Sequence, residues 1–152
     1  ALKIVEAAAK AGVQMLKLQT YTPDTLTIDV KDGDFLIDDP KSLWKGTSLY
    51  NLYKKAHTPW EWHEVIIKKS NQLGMQCFST PFDESAVDFL ETLNVPAYKI
   101  ASFENTHLPL IKLVSQTNKP VIISTGMATK MEISELVNEL KNNGNKIGIR
   151  RI

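Results

Sequence analysis

Several features that would commit a protein to a membrane, a nucleic acid or an oxidising compartment are missing from this sequence. Cys77 is the only cysteine, so no internal disulfide can form, and this is typical of a reducing compartment such as the cytoplasm. No apolar run is long enough to cross a bilayer, and no charged and then apolar leader opens the chain. The formal net charge of +1 predicts no strong attraction to nucleic acid or to membrane surfaces. We therefore expect a cytoplasmic protein with neither of these partners.

Signatures of several enzyme classes are missing as well. There is no glycine-rich phosphate-binding loop, and Gly126 alone is not one. No histidine stands near a serine in the pattern of a hydrolase triad. The three histidines are not at metal-ligand spacing: we interpret His63 as a helix-surface residue and His107 as a helix start, and His57 closes a long loop. The sequence therefore assigns no metal ligand.

What the sequence does contain is a regular alternation of short apolar strands and amphipathic helices, most evident after residue 75. This alternation predicts parallel strands joined by right-handed crossover helices. A doubly wound sheet and a TIM (β/α)8 barrel are both consistent with this alternation. The barrel is favoured because polar residues follow every predicted strand, whereas a doubly wound sheet places its site at a single switch point. About five of the eight barrel units are present. The prediction is an α/β chain that forms an incomplete TIM-barrel domain over residues 1–152.

Four of the predicted strands end in the same way, at residues 16–20, 77–81, 97–104 and 122–126. Each is apolar and then ends on Lys, Ser, Thr or Gln. A lysine within an apolar strand is costly to bury unless an anion meets it. Lys17 and Lys99 could therefore point into one barrel mouth and bind a dianion, and Glu104 could act as a general base or bind sugar hydroxyls. The candidate hydroxyl donors are Ser79, Thr80, Ser102, Ser124 and Thr125.

The same residues also have a purely structural interpretation. In that interpretation the lysines lie on the surface, and the serines and threonines beside them cap turns and helices. Because four strands end on the same polar residue types, a binding site is favoured over this alternative.

A long connection over residues 21–57 separates the first two predicted strands. Turn-forming residues fill its first half, and residues 48–56 are predicted to form a short helix. Its many apolar and aromatic residues predict an ordered excursion from the barrel.

Four motifs together resemble the sialic acid synthase family, in order and spacing over nearly the whole chain. They are Lys-Leu-Gln-Thr at 17–20, Phe-Ser-Thr-Pro-Phe-Asp at 78–83, Tyr-Lys-Ile-Ala-Ser at 98–102 followed by Glu104, and Pro-Val-Ile-Ile-Ser-Thr-Gly-Met at 120–127. Within the excursion, residues 43–50, Tyr53 and residues 56–62 resemble the branch that makes pseudaminic acid.

The resemblance implies an enzyme that condenses phosphoenolpyruvate with an N-acetylated amino sugar and releases phosphate, a carbon–carbon-bond-forming synthase of the acyltransferase type. The product implied is a nonulosonic acid, pseudaminic acid. The resemblance also implies a TIM barrel followed by a small antifreeze-like domain, which these residues do not include, in a homodimer. A divalent metal, Mn²⁺ or Mg²⁺, is implied too, but its histidine ligands in the family match none of the three histidines here.

Site roles follow from the same resemblance. Lys17, Thr80 and Lys99 would hold the carboxylate of phosphoenolpyruvate, and Ser102 and Ser124 would hold its phosphate. Gln19 and Glu104 would face the sugar. Glu104, Lys99 and Lys17 are the implied catalytic residues, with Glu104 as the proton-transfer group.

Two alternatives remain open. One is an N-acetylneuraminate or legionaminate synthase, and the other is a non-catalytic remnant that binds anions. Because the first barrel strand and the metal ligands of the family have no match here, we expect the 152-residue chain alone to be inactive. An incomplete barrel also predicts exposed sheet edges and self-association. The last residues, 146–152, depart from the family pattern.

Overall fold

The computed structural model describes residues 1–142, which form one parallel sheet with helices packed against it. The strands are β1 Met15–Thr20, β2 Gln76–Pro81, β3 Tyr98–Ile100 and β4 Val121–Ile123. The helices are α1 Leu2–Lys10, α2 Pro23–Leu26, α3 Leu49–Ala56, α4 Glu61–Gln72, α5 Glu84–Thr92, α6 Leu108–Gln116 and α7 Lys130–Asn142, with a single 3₁₀ turn at Gly33–Phe35. None of these helices is both long and apolar enough to cross a membrane.

The four strands lie in the order β1-β2-β3-β4, and every neighbouring pair is parallel. Spatial order that follows chain order is the arrangement of a (β/α)8 barrel, since a doubly wound sheet reverses direction at a switch point. The prediction of an α/β chain with part of a barrel is confirmed. The fifth predicted strand, at 146–149, lies outside the described residues.

The two faces of the sheet have different chemistry because successive strand residues point to opposite sides. One face packs on the helices, where Leu90, Tyr98, Ile100 and Leu110 belong to a core cluster with no exposed surface. The pairing of β1 with β2 places Lys17 beside Phe78 and Gln19 beside Thr80. On β3, Lys99 lies between the helix-facing residues Tyr98 and Ile100, so it points to the opposite face. The lysines therefore share the face that the helices do not cover.

The strand ends agree with the prediction in part. β1 ends at Thr20, the last residue of the predicted segment 16–20, and its residues Gln19 and Thr20 pair with Thr80 and Pro81. β3 ends at Ile100, and a tight turn follows in which the Glu104 amide donates to the Ala101 carbonyl at 3.2 Å.

The excursion over residues 21–57 contains the short helix that the sequence predicts near its end. Its final helix, α3, begins where the Ser48 hydroxyl accepts from the Asn51 amide. The phenol of Tyr50 donates to Asp24 at 3.0 Å, joining the two ends of the excursion. Tyr21 is buried, and its ring makes edge-to-face contacts with Tyr53 and with Phe82 beyond β2. These contacts hold the excursion beside the carboxyl ends of β1 and β2.

Cys77 lies in a second core cluster with Val5, Ile66 and Met75, between β2 and the helices α1 and α4. Burial raises the pKa of its thiol to about 11. The residue is therefore a small buried hydrophobe.

Candidate active site

Lys99 is the centre of the candidate site. Its ammonium nitrogen donates to the Ser124 hydroxyl oxygen at 2.6 Å and to the Ile100 carbonyl at 2.6 Å. The Ser124 amide in turn donates to the Ile100 carbonyl at 3.1 Å. The carboxyl ends of β3 and β4 are thus joined through one cation, with a hydroxyl held against it.

The charges around Lys99 favour an anion. Partial burial lowers the pKa of the Lys99 ammonium, and the nearby Lys17 ammonium lowers it further, whereas the Glu104 carboxylate acts in the opposite direction. Two ammonium groups therefore repel each other at the mouth of the sheet. A ligand with two negative charges would relieve this repulsion.

Glu104 lies on the turn that follows β3. Burial raises the pKa of its carboxyl, while His107 and Lys99 oppose that effect. Its Oε2 atom is buried and has no hydrogen-bond partner among the described residues. A buried polar atom without a partner is unusual in a folded protein and suits an atom that meets a ligand.

Thr80 has a similar property. Its hydroxyl oxygen is buried and lacks a hydrogen-bond partner within residues 1–142. Gln19 lies directly beside it across the β1–β2 pair, with an exposed side chain on the same face. Ser79, in contrast, points to the helix-covered face, where its hydroxyl lies 2.7 Å from the Thr20 hydroxyl. Its prediction as a donor to the ligand is wrong, because side-chain direction alternates along β2.

The turn after β3 touches the turn after β4. A Cβ atom on Gly126 would lie 2.7 Å from the Cβ of Ser102, and Gly126 has a φ of +54°. Both properties require glycine at this position. Ser102 therefore lies against the loop that carries Ser124.

Asn105 strengthens the same contact, and sequence reasoning missed it. Its side-chain nitrogen donates to the Thr125 carbonyl at 2.7 Å and to the Ser124 carbonyl at 3.2 Å. The side chain is nearly inaccessible to solvent. Only the three-dimensional contact distinguishes it from an ordinary loop asparagine.

His63 was predicted on a helix surface, and that prediction is wrong. The residue is 0% exposed. Its Nε2 atom lies 2.9 Å from the Thr20 hydroxyl, and its ring packs edge-to-face on Phe89. On α4 this polar residue faces inward and meets the buried Thr20 hydroxyl of β1, which is in turn hydrogen-bonded to the Ser79 hydroxyl of β2. Burial lowers the pKa of the imidazole.

The described residues do not fit a divalent cation. No group of three His, Cys, Asp or Glu side chains within residues 1–142 is arranged to hold one. Anion binding by the lysines and hydroxyls is the chemistry that these side chains support.

The chain is similar in sequence to two pseudaminic acid synthases. The chain is 45% identical to the pseudaminic acid synthase of Campylobacter jejuni over 93% of its own length and 42% of that protein. It is 42% identical to the pseudaminic acid synthase of Helicobacter pylori, over 88% of this chain and 38% of that protein. The chain thus spans about two fifths of the length of these relatives.

The fold is also found in solved structures. N-acetylneuraminic acid synthetase from Leptospira borgpetersenii, solved with citrate, superposes with a TM-score of 0.80 at 24% identity, covering 95% of this chain and 45% of that one. Residues 4–149 match the NeuB family. The chain therefore belongs to the NeuB family.

Proposed function

We propose that the full-length protein carrying this chain condenses phosphoenolpyruvate with an N-acetylated amino sugar, forms pseudaminic acid and releases phosphate. The observation that carries the proposal is the Lys99 ammonium held on the Ser124 hydroxyl, with Lys17 near enough to lower the pKa of Lys99. The identity to two pseudaminic acid synthases supports this product over neuraminic or legionaminic acid.

Phosphoenolpyruvate has two anionic groups, and the site offers a set of donors for each. In this proposal Lys17, Lys99 and the Thr80 hydroxyl hold the carboxylate, and the free Thr80 oxygen is suited to donate to it. Ser102 and Ser124 hold the phosphate. These two serines lie on touching turns, so they can bind one phosphoryl group together.

The reaction forms a bond between C3 of phosphoenolpyruvate and the aldehyde carbon of the open-chain sugar. The aldehyde oxygen gains negative charge and needs a proton, which the Glu104 carboxyl donates in our proposal. Its raised pKa favours the protonated form, and its buried Oε2 has no protein partner within the described chain. Gln19 orients the sugar from β1. Water then adds at C2, and the tetrahedral intermediate expels phosphate.

We further propose that residues 1–152 are part of a barrel domain that other parts of the protein complete, and that the full protein is a homodimer. The Mn²⁺ or Mg²⁺ requirement expected from the sequence finds no ligand set among residues 1–142.

The test is phosphate release by the full-length protein supplied with phosphoenolpyruvate and one amino sugar at a time. The sugars are the precursors of pseudaminic, legionaminic and neuraminic acids. Turnover with the pseudaminic acid precursor is expected, whereas turnover with N-acetylmannosamine alone would exclude our choice of product.

A second function, anion binding without catalysis, is favoured for the isolated chain because the lysines and serines are present and no metal-binding group is found in the described part. Titration calorimetry of the 152-residue chain with phosphoenolpyruvate tests it. Metal-dependent phosphate release by that chain would show instead that it is active alone.

A further inference from the structure

The loop that carries Ser124 is held by a side chain to which no role has been assigned. Asn105 is 5% exposed, and its amide nitrogen donates to two successive carbonyls, those of Ser124 and Thr125, at 3.2 and 2.7 Å. The amide has two N–H bonds, which is enough to serve both carbonyls. Since the group is buried, water cannot replace these hydrogen bonds if they are lost.

We propose that Asn105 is a positioning residue that sets the Ser124 hydroxyl against Lys99 and thereby determines affinity for phosphoenolpyruvate. This inference rests on the proposed function. Asn105 does not touch the ligand in this assignment. It acts through the backbone of Ser124, whose hydroxyl accepts from Lys99 at 2.6 Å.

Hydrogen bonds on both sides of Ser124 restrain its backbone, and Asn105 makes those on the carboxyl side. Ser124 comes directly after the last residue of β4, where pairing with β3 ends at Ile123. On the amino side, the Ser124 amide is held by the Ile100 carbonyl at 3.1 Å. On the carboxyl side, the two carbonyls are held by Asn105. Together these bonds fix both peptide groups of Ser124, and with them the direction of its hydroxyl.

A second contact restrains the same loop. The close approach of Gly126 to Ser102 brings the turn after β4 onto the turn that also carries Asn105. If the Asn105 amide is lost, this contact keeps the loop nearby but does not orient the Ser124 carbonyl. The expected effect is therefore misalignment of one donor, not loss of the loop.

The sugar side of the site depends less on Asn105. Gln19 lies on β1, two strands away from β3. Glu104 precedes Asn105, but its backbone is held separately, by its amide on Ala101 and its carbonyl on His107, at 3.2 and 3.0 Å. Removing the Asn105 amide should thus raise the KM for phosphoenolpyruvate and leave the KM for the sugar little changed.

The experiment compares Asn105→Ala and Asn105→Asp in the full-length protein. Loss of two buried hydrogen bonds is expected to raise the KM for phosphoenolpyruvate about tenfold in Asn105→Ala. Asn105→Asp has the same shape but presents oxygen to both carbonyls, so it should raise that KM at least as much. The control, Asn71→Ala, removes an exposed asparagine from α4 at the opposite end of the strands, and it should match the wild type.

A purely structural role would give a different pattern. In that case both variants would lower the melting temperature and the fraction of active protein while the KM for phosphoenolpyruvate stayed within twofold of the control, and the inference would be overturned. If Asn105→Ala does not fold, Asn105→Asp provides the same comparison.

Direct binding separates this inference from the proposed function. Titration calorimetry with phosphoenolpyruvate alone should show about tenfold weaker binding by Asn105→Ala. If the wild type binds phosphoenolpyruvate but turns over no sugar, the proposed function fails, and the weaker binding still supports Asn105. If the wild type turns over sugar and the variant binds normally, only the role of Asn105 fails. If the wild type does not bind phosphoenolpyruvate, both fail.

Discussion

The Thr20 hydroxyl lies 2.9 Å from Nε2 of His63, on the side of the sheet opposite the candidate site. The same hydroxyl lies 2.7 Å from the hydroxyl of Ser79, so one histidine on α4 is linked through Thr20 to both β1 and β2. Gln19 precedes Thr20 in β1, and Thr80 follows Ser79 in β2. Because side chains alternate along a strand, Gln19 and Thr80 lie on the opposite face of the sheet, which carries the candidate site. The packing of α4 is therefore connected to the position of two site side chains.

This relationship predicts a pH-dependent stability. Burial lowers the pKa of His63 in the folded state, so below about pH 6.5 the unfolded chain takes up a proton that the folded chain does not. The free energy of unfolding should therefore fall as the pH drops from 7.5 to 5.5. Urea unfolding of the full-length protein at several pH values measures this, and His63→Gln should have a smaller slope.

The matched control for His63 is His57→Gln, which removes a histidine outside this hydrogen-bond network. The control still contains His63, so it should keep the slope that is assigned to the buried imidazole. A wild-type slope in His63→Gln would contradict the assignment of the slope to the buried imidazole.

Lys99→Gln tests the cation at the centre of the site. Loss of a charge-assisted interaction with the ligand should weaken phosphoenolpyruvate binding about 100-fold. The folded protein should be as stable as the wild type or more so, since the partly buried ammonium carries a desolvation cost. Titration calorimetry and thermal unfolding measure the two effects.

The control for Lys99→Gln is Lys68→Gln, which removes only an exposed ion pair with Glu64. Equal affinities for phosphoenolpyruvate in the two variants would exclude the assigned role of Lys99.

Glu104→Gln tests the proton-transfer role. The amide keeps the shape of the side chain but cannot donate an acidic proton, so kcat should fall by about 10²- to 10⁴-fold. Phosphoenolpyruvate binding should change little. If the protonated carboxyl is the active form, wild-type kcat should also decline as the pH rises above the raised pKa of Glu104, and this decline should be absent in the variant. Glu84→Gln, at the exposed start of α5, is the control. A wild-type kcat in Glu104→Gln would refute the assignment.

Leu90→Ala tests the core behind β3. Leu90 is completely buried beside Tyr98 and Ile100, and removing its side chain should lower the free energy of unfolding by about 2–5 kcal/mol. Leu43→Ala removes the same atoms from a side chain that is 98% exposed and should cost less than about 0.5 kcal/mol. Urea unfolding provides the comparison, and equal losses would contradict the assigned core.

Features that depend on local periodicity were predictable from the sequence. The alternation of strand and helix predicted the parallel sheet, and the lysines that interrupt apolar strands indicated the candidate site. The amphipathic pattern over residues 48–56 predicted α3. In each case the residues that form the pattern lie within a few positions of the element that they predict. The local sequence was therefore enough for the prediction.

Features that depend on distant partners were not predictable. His63 is a helix residue whose partner Thr20 is 43 positions away, and the sequence does not show that α4 turns it toward two buried hydroxyls. Asn105 is similar, because its carbonyl partners belong to the next strand unit. Ser79 and Thr80 are chemically alike neighbours, and only the strand register shows which one faces the site.

The buried thiol of Cys77 can report when the helices α1 and α4 separate from β2. With a pKa of about 11 and almost no accessible surface, it should resist alkylation while α1 and α4 stay packed on β2. Each transient separation of these helices exposes it, so its labelling rate measures how often that side of the sheet opens. Because the chain has no other cysteine, a thiol engineered at the exposed Met127 could be labelled selectively, placing a fluorophore beside the loop of Ser124.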